Sequence, residues 1–128
     1  MLSNICLYVF IYMTDADIPI LKKAYDLYRI FNEYRKLVPK QDRFTIYERS
    51  ENAILDMTEC ILEAGYSKSS DKVAILERAS MKLNLLRFFV RLMKETRSID
   101  TKKYTVLQSH IDEIGRMLGG WIRSQGSK

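Results

Sequence analysis

Residues 76–93 read LERASMKLNLLRFFVRLM, and their apolar positions step along the chain with the spacing of a helix. Aliphatic residues recur at intervals of three and four: Leu76, Ala79, Leu83, Leu86, Val90 and Met93. That spacing places all six on one face of an α-helix and is typical of a seam buried between helices. Leu85, Phe88 and Phe89 widen this apolar face. We therefore expect the helix to contact two neighbours, one of them on another subunit.

Two helices are predicted before this one. The first runs from about Ile18 to Val38; Asp17 can cap it, and Pro39 stops it because proline disfavours helix in the residue before it. Its seam residues are Ile20, Ala24, Leu27, Phe31, Tyr34 and Val38. The second runs from about residue 42 to residue 64, and Gly65 is its expected C-terminal cap. Its inner face is expected to carry Phe44, Tyr47, Ile54, Ile61 and Leu62, interrupted by Ser50 and Glu51.

The third helix is expected to begin after Ser70 or Asp71 and to continue to about Arg97. A fourth begins near residue 100, and its apolar seam is Tyr104, Leu107, Ile111, Ile114, Leu118 and Trp121. Because the connections are short, successive helices should be antiparallel neighbours. The sequence therefore predicts an all-α, antiparallel up-down-up-down four-helix bundle over residues 13–124, followed by a polar tail, residues 125–128.

The N-terminus carries an unbroken apolar run, ICLYVFIYM, over residues 5–13. It is too short to span a bilayer as a helix, which takes roughly 20 residues, and it lacks the basic start of a secretory signal. We predict that residues 1–12 are an upstream extension outside the native domain and that the protein has no membrane partner. The alternative is an arm that packs on the bundle or on a neighbouring subunit.

Composition argues against several classes of function. The 128 residues contain one histidine, His110, and two cysteines without metal-ligand spacing, Cys6 and Cys60. A zinc site would lack its usual ligands, and two isolated thiols fit the reducing cytoplasm. No glycine-rich phosphate loop is present, and no nucleophile has a recognisable partner. We therefore expect no catalytic residue, no metal and no cofactor.

Charge is distributed unevenly along the chain. The formal net charge is +5, yet residues 1–71 hold 9 Lys/Arg against 11 Asp/Glu. Residues 72–128 hold 12 Lys/Arg against 5 Asp/Glu, a net charge of +7. This asymmetry predicts a basic surface built from the third and fourth helices, which favours a polyanionic partner.

Two basic rows lie on the third helix. Arg87, Arg91 and Lys94 occupy positions i, i+4 and i+7 and share one face, and Arg78 and Lys82 form a second i, i+4 pair. Like charges at this spacing repel each other by a few tenths of a kcal/mol, so a neighbouring anion should offset them. Phosphates are one source of that anion, and such binding would be salt-dependent and independent of sequence.

Carboxylates within the bundle are the alternative source. Glu48, Glu51 and Glu59 of the second helix could neutralise the basic rows. Further positive charge on the fourth helix favours the polyanion and comes from Arg116, Arg123, Lys102 and Lys103. We therefore predict that these two arginines, with the five basic residues of the third helix, form a binding surface for nucleic acid or a protein partner.

The last helix contains GRMLGGWIRS over residues 115–124. Gly115 and Gly119 lie four residues apart on one face, although glycine costs about 1 kcal/mol relative to alanine inside a helix. This spacing predicts close approach of another backbone. Together with Trp121, these glycines are expected to serve packing between helices or between subunits.

These same stretches carry a family resemblance. LERASMKLNLLRFFVRLM (76–93) and HIDEIGRMLGGWIRS (110–124) resemble the accessory variability determinant of diversity-generating retroelements. That family is similar to the four-helix proteins encoded by intervening sequences in bacterial 23S ribosomal RNA genes. The resemblance covers residues 70–124 strongly and residues 18–66 more weakly.

The resemblance implies a non-catalytic protein that assembles into a barrel-like homopentamer. Its implied partners are the reverse transcriptase of the retroelement and RNA or DNA, bound without strong sequence preference during mutagenic retrohoming. Arg87 and Arg91 match the family's paired arginines, and Arg116 and Arg123 match those of the fourth helix. Two alternatives stay open: a 23S intervening-sequence protein of unknown role, and a helical scaffold that binds only protein.

Overall fold

The computed structural model describes residues 18–126, which form four long helices and two short helical segments with no strand. The long helices are α1 (Ile18–Tyr34), α2 (Ile46–Tyr66), α3 (Ser69–Glu95) and α4 (Thr101–Gly126). A 3-10 turn (Arg35–Leu37) and a one-turn helix (Lys40–Arg43) connect α1 to α2. The all-α class is confirmed for this part of the chain. The predictions for residues 1–12, for the Asp17 cap and for the last two residues of the tail lie outside it.

The four long helices pack in a closed cycle. α1 contacts α2, α2 contacts α3, α3 contacts α4, and α4 contacts α1. Cross-helix pairs give the direction: Arg78 of α3 reaches Glu63 of α2, and Lys82, one turn later, reaches Asp56, two turns earlier. Phe31 with Tyr47 and Tyr28 with Glu51 give the same result for α1 and α2, and Arg87 with Asp112 and Lys94 with Tyr104 for α3 and α4. Successive helices are therefore antiparallel, and the up-down-up-down four-helix bundle is confirmed for residues 18–126.

The heptad seams form the core. All six seam residues predicted for α3 are buried, as are Leu107, Ile111, Ile114 and Leu118 of α4. Tyr104 and Trp121, at the two ends of the α4 seam, are half-buried and pack against this core. The buried aliphatic side chains stabilise the fold because each removes apolar surface from water, at roughly 1.5–3 kcal/mol for a fully buried residue.

An aromatic pair joins α1 to α2. The rings of Phe31 and Tyr47 stack with centroids 4.4 Å apart and planes 6° from parallel. The Tyr47 hydroxyl donates a hydrogen bond to the Phe31 carbonyl oxygen at 2.8 Å, so its buried polar atom is satisfied. Burial raises the pKa of this phenol well above its usual value. The pair therefore holds the end of α1 against the start of α2.

The first helix ends earlier than predicted. α1 stops at Tyr34 and continues as a 3-10 turn, and Val38 has an extended backbone with φ −79° and ψ 135°. The steric demand of Pro39 on the preceding residue accounts for this conformation. Val38 still contributes a buried side chain to the core, as its seam position predicted.

The second helix also differs from its predicted bounds. Thr45, with φ −123° and ψ −102°, separates the one-turn helix from α2, which begins at Ile46. The prediction that Phe44 lies on the inner face is wrong, because this residue belongs to the connection and its side chain is 70% exposed. The prediction of Gly65 as a cap is also wrong, because the helix continues through it to Tyr66.

Ser50 does not interrupt the core. Its side chain is completely buried in line with Tyr47 and Ile54. The hydroxyl donates a hydrogen bond to the Ile46 carbonyl oxygen at 2.7 Å and lies 3.6 Å from the Met93 sulfur. Because the helix backbone satisfies the hydroxyl locally, serine occupies a core position at little cost.

The α3–α4 connection is a Schellman turn with arginine at the left-handed position. Arg97 has φ 64°. Its N–H donates to the Lys94 carbonyl oxygen at 3.1 Å, and the Ser98 N–H donates to the Met93 carbonyl oxygen at 2.8 Å. Glycine is the usual residue here, because a Cβ in this conformation crowds the following carbonyl oxygen. The buried Ser98 then donates from its hydroxyl to the Asp42 carboxylate at 2.7 Å.

We expect Arg97→Gly to raise the free energy of unfolding by about 1 kcal/mol, because glycine adopts positive φ without the steric penalty. Urea denaturation followed by circular dichroism measures the change. Arg97→Ala removes the same charge but keeps the Cβ, so it should leave stability nearly unchanged. An equal gain in both variants would attribute the effect to charge and contradict the conformational explanation.

Candidate nucleic-acid interface

Arg78 and Lys82 face α2 and are paired with its carboxylates. Arg78 Nη2 lies 3.0 Å from Glu63 Oε2, and Lys82 Nζ lies 3.5 Å from Asp56 Oδ2. The alternative of neutralisation by α2 therefore applies to these two cations. The carboxylates involved are different from the three glutamates that the sequence suggested.

Arg87 reaches across to α4. Its guanidinium forms an ion pair with the Asp112 carboxylate, which also accepts a hydrogen bond from Gln108 Nε2 at 3.2 Å. The Arg87 side chain is about one-third exposed. Arg87 thus joins α3 to α4 as well as contributing charge to the surface.

The glycines of α4 make room for arginine side chains. Arg87 Nη2 lies 3.3 Å from the position that a Cβ would take at Gly115, and Arg123 Nη1 lies 3.2 Å from that position at Gly119. Within residues 18–126, guanidinium groups approach these two positions. Packing of Gly115, Gly119 and Trp121 between subunits stays a prediction. Trp121 packs against the core of its own bundle.

Arg116 pairs within α4. Its Nη2 lies 2.7 Å from Glu113 Oε2, and its side chain is mostly exposed. Exposed ion pairs of this kind contribute about 0–1 kcal/mol, and a phosphate can replace the carboxylate. The assignment of Arg78, Lys82, Arg87 and Arg116 to a binding surface therefore remains a prediction, as does that of Arg123.

Arg91 and Lys94 have no carboxylate partner among residues 18–126. Arg91 is exposed. Lys94 Nζ lies 4.9 Å from the centroid of the Tyr104 ring, a cation–π contact that leaves the positive charge in place. These two side chains carry uncompensated charge near the C-terminal end of α3.

They belong to a larger basic region at one end of the bundle. We define the basic end as residues 31–49 and 91–104, which comprise the α1–α2 and α3–α4 connections and the helix turns beside them. It holds 10 Lys/Arg and 5 Asp/Glu, whereas the rest of residues 18–126 holds 10 and 9. Nearly all of the excess positive charge of the described chain is therefore concentrated at this end.

Several cations of the basic end contact neutral groups. Arg43 donates to the carbonyl oxygens of Val38 and Lys36, both at 3.0 Å. The guanidinium carbon of Arg49 lies 5.8 Å from the centroid of the Phe89 ring. Because carbonyls and aromatic rings do not cancel charge, the basic end retains its positive potential.

Among the ten cations of the basic end, Lys103 alone forms an ion pair within the described part of the chain. Its Nζ lies 2.8 Å from Asp100 Oδ2, and its backbone N–H donates to Asp100 Oδ1 at 2.8 Å. Asp100 thus caps α4, and both hydrogen bonds from Lys103 hold the pKa of this carboxyl below its usual value. The Asp100 carboxylate therefore offsets the positive charge of Lys103.

Sequence reasoning missed Arg43, Arg49 and Arg97 as parts of this surface. Two of them lie in the first half of the chain, where acidic residues elsewhere hide their contribution to the net charge. The predicted topology was enough to group these arginines with Arg91 and Lys94, because an up-down-up-down bundle places its first and third connections at the same end. Counting charges by end of the bundle, rather than by half of the chain, would have found them.

Two further classes of site find no support among residues 18–126. No group of three or more His, Cys, Asp or Glu side chains could hold a metal ion. No helix in this range combines the length and apolar composition that crossing a bilayer requires.

Comparison with known proteins gives a family and a fold. Residues 18–125 match the family model described as bAvd-like. A solved structure from Bacteroides thetaiotaomicron VPI-5482, a protein of unknown function from the S23 ribosomal protein family, superposes with a TM-score of 0.76 at 23% identity. The match covers 84% of this chain and 98% of that chain and shows a shared fold. No curated protein sequence matches the chain.

We expect Gly120→Ala to stabilise the protein by up to about 1 kcal/mol, because alanine favours helix and the added Cβ meets only an ordinary contact at 3.9 Å. Gly115→Ala should gain less, because its Cβ would lie only 3.3 Å from Arg87 Nη2 and the guanidinium would have to shift to make room. Thermal denaturation of both variants measures the difference.

A double-mutant cycle isolates the cause. In an Arg87→Ala background, Gly115→Ala should recover the full gain seen at Gly120, since no guanidinium remains to be displaced. If the deficit at position 115 persisted without Arg87, the proposed steric conflict would be refuted.

Proposed function

The chain belongs to the bAvd-like family, and from this membership we infer that it is a non-catalytic accessory protein of a diversity-generating retroelement. In this role it binds the reverse transcriptase of the retroelement and also RNA or DNA, and it supports mutagenic reverse transcription and retrohoming in the cytoplasm. The protein uses no cofactor or metal of its own. Catalysis belongs to the polymerase.

The basic end is the observation that carries the nucleic-acid part of this proposal. Ten cations against five carboxylates, with a single ion pair among the ten in residues 18–126, give a surface potential that attracts phosphates. Binding to such a surface releases counterions and weakens as salt rises. The interaction follows the phosphate backbone and is not strongly sequence-specific.

Arg91 and Lys94 are the first residues we assign to this contact, because their charges lack carboxylate partners in the described chain. Arg78, Lys82, Arg87 and Arg116 take part to a smaller extent, since a phosphate must first replace Glu63, Asp56, Asp112 or Glu113. Arg123 lies in the last turn of α4, at the opposite end of the bundle, and joins only a contact that extends along α4.

Homopentameric assembly is the second part of the proposal. The outer face of α3 exposes two large apolar side chains, Met81 at 67% and Phe88 at 60%, two turns apart. Leu85 lies between them and is half-buried. An apolar row of this kind on a helix already packed on two sides supports a contact with a second copy.

Arg91→Ala/Lys94→Ala should weaken binding to a mixed-sequence oligonucleotide roughly tenfold at low salt. The slope of log Kd against log salt concentration should fall by roughly 1.5, because two phosphate contacts are lost. Fluorescence anisotropy over a salt series measures both quantities.

Arg78→Ala/Lys82→Ala is the matched control. It removes the same charge from the same helix, but from side chains that carboxylates already neutralise, so its effect on the slope should be less than half as large. Equal effects in the two double variants would show that net charge alone governs binding, and this would contradict a localised basic site.

The assembly is tested by mass. Light scattering should give about five copies of the 15.1 kDa chain, and Phe88→Glu should reduce that mass because it buries a charge in the proposed contact. Tyr25→Glu, at an exposed aromatic position on α1, serves as the control and should leave the mass unchanged. A wild-type protein that stays a single chain at micromolar concentration would refute the pentamer.

The polymerase contact is tested by co-purification. The full chain should retain the reverse transcriptase encoded by the same retroelement on an affinity resin after nuclease treatment. Loss of the polymerase on nuclease treatment would mean that nucleic acid alone bridges the two proteins.

A further inference from the structure

We propose that the groove between the start of α2 and the end of α3 binds an unpaired base of single-stranded nucleic acid, stacked on Phe44. This inference rests on the proposed function, because it specifies which form of nucleic acid the basic end takes. It assigns a role to Phe44, whose exposed side chain does not belong to the hydrophobic core.

The groove has the size and lining for a flat aromatic ligand. Its volume is about 640 Å³, and Phe44, Ile46, Phe89 and Leu92 supply its apolar surface. Phe44 is 70% exposed, the largest exposed fraction among the large hydrophobic side chains in residues 18–126. An aromatic ring held in water at the mouth of a groove offers a free face for stacking.

Three polar side chains of the groove, those of Asp42, Thr45 and Thr96, already have hydrogen-bond partners within the bundle. The Asp42 carboxylate accepts the Ser98 hydroxyl at 2.7 Å, and the Thr96 hydroxyl donates to the Leu92 carbonyl oxygen at 2.8 Å. The Thr45 hydroxyl donates to the Asp42 carbonyl oxygen at 3.4 Å. Few groups therefore remain to read the edge of a base, so stacking should be tolerant of base identity.

Charge around the groove favours a nucleic acid as its occupant. The Arg49 guanidinium lies over the Phe89 ring inside the groove and has no carboxylate partner among residues 18–126. Arg91 and Arg97 are both exposed, and each adjoins in sequence a residue that lines the groove, Leu92 and Thr96 respectively. An aromatic platform flanked by such cations combines the two features by which proteins hold single strands.

Single strands fit better than duplexes because of the stacking requirement. Bases within a duplex are stacked on each other and do not offer a free face, whereas an unpaired base can insert beside Phe44. The cations around the groove would then contact the phosphates on either side of the inserted base.

The test compares Phe44→Ala with wild type, using an unstructured single-stranded oligonucleotide and the corresponding duplex as anisotropy probes. We expect the variant to lose roughly tenfold in affinity for the single strand, as for loss of one stacked base, with an unchanged salt slope. Duplex binding should not change. Phe44→Trp, which keeps a stacking ring, should bind the single strand at least as tightly as wild type.

Tyr66→Ala is the matched control, because it removes an aromatic ring of similar exposure, 57%, from the opposite end of the bundle. Its binding should equal that of wild type. Wild-type affinity in Phe44→Ala would overturn the groove assignment and leave the proposed function intact. Failure of wild type to bind either probe would overturn both.

The other possible occupants of the groove are also outcomes of this test. If Phe44→Ala lowered the assembly mass together with the affinity, the groove would be a contact between copies. If it lost the reverse transcriptase but kept single-strand affinity, the groove would hold a polymerase segment. Either result would overturn the proposal.

Discussion

Burial of the α3 seam against both α2 and α4 is the constraint on which the whole bundle depends. The seam from Leu76 to Met93 is inaccessible to water along its length, and the helices on either side bury their own seams against it. Long polar side chains are thereby confined to the flanks of α3. Arg78 and Lys82 meet the acids of α2 there, and Arg87 meets Asp112 of α4. Apolar packing thus determines which cations lie close enough to a carboxylate to form an ion pair.

Much of the fold could be predicted because helical seams are a local property of the sequence. The α3 and α4 seams and the up-down-up-down order all follow from spacing and short connections. The α1–α2 region was predicted less well, because Phe44 continues the apolar pattern although Thr45 breaks the helix beside it. Ser50 was misjudged for a related reason, since its hydroxyl is satisfied by its own helix and does not need water.

The candidate site could be predicted only in part. The sequence showed that positive charge collects in the third and fourth helices, and Arg91 and Lys94 are indeed uncompensated in the described chain. It could not show that Arg87 would settle against Gly115, because the two residues are far apart in the chain and meet only across a helix interface. Nor could it place Arg49 beside Phe89, which depends on how α2 begins after the connection.

The placement of the basic end has a consequence for how the molecule approaches other charged bodies. Within residues 18–126, positive and negative side chains nearly cancel over most of the bundle, but positive charge is in excess at the basic end. This separation of charge contributes an electric dipole along the helix axes. In the field of an extended anion, torque on this dipole turns the protein before any contact forms. We therefore expect encounters with an extended anion to begin at the basic end, with the long axis of the bundle pointing toward the anion.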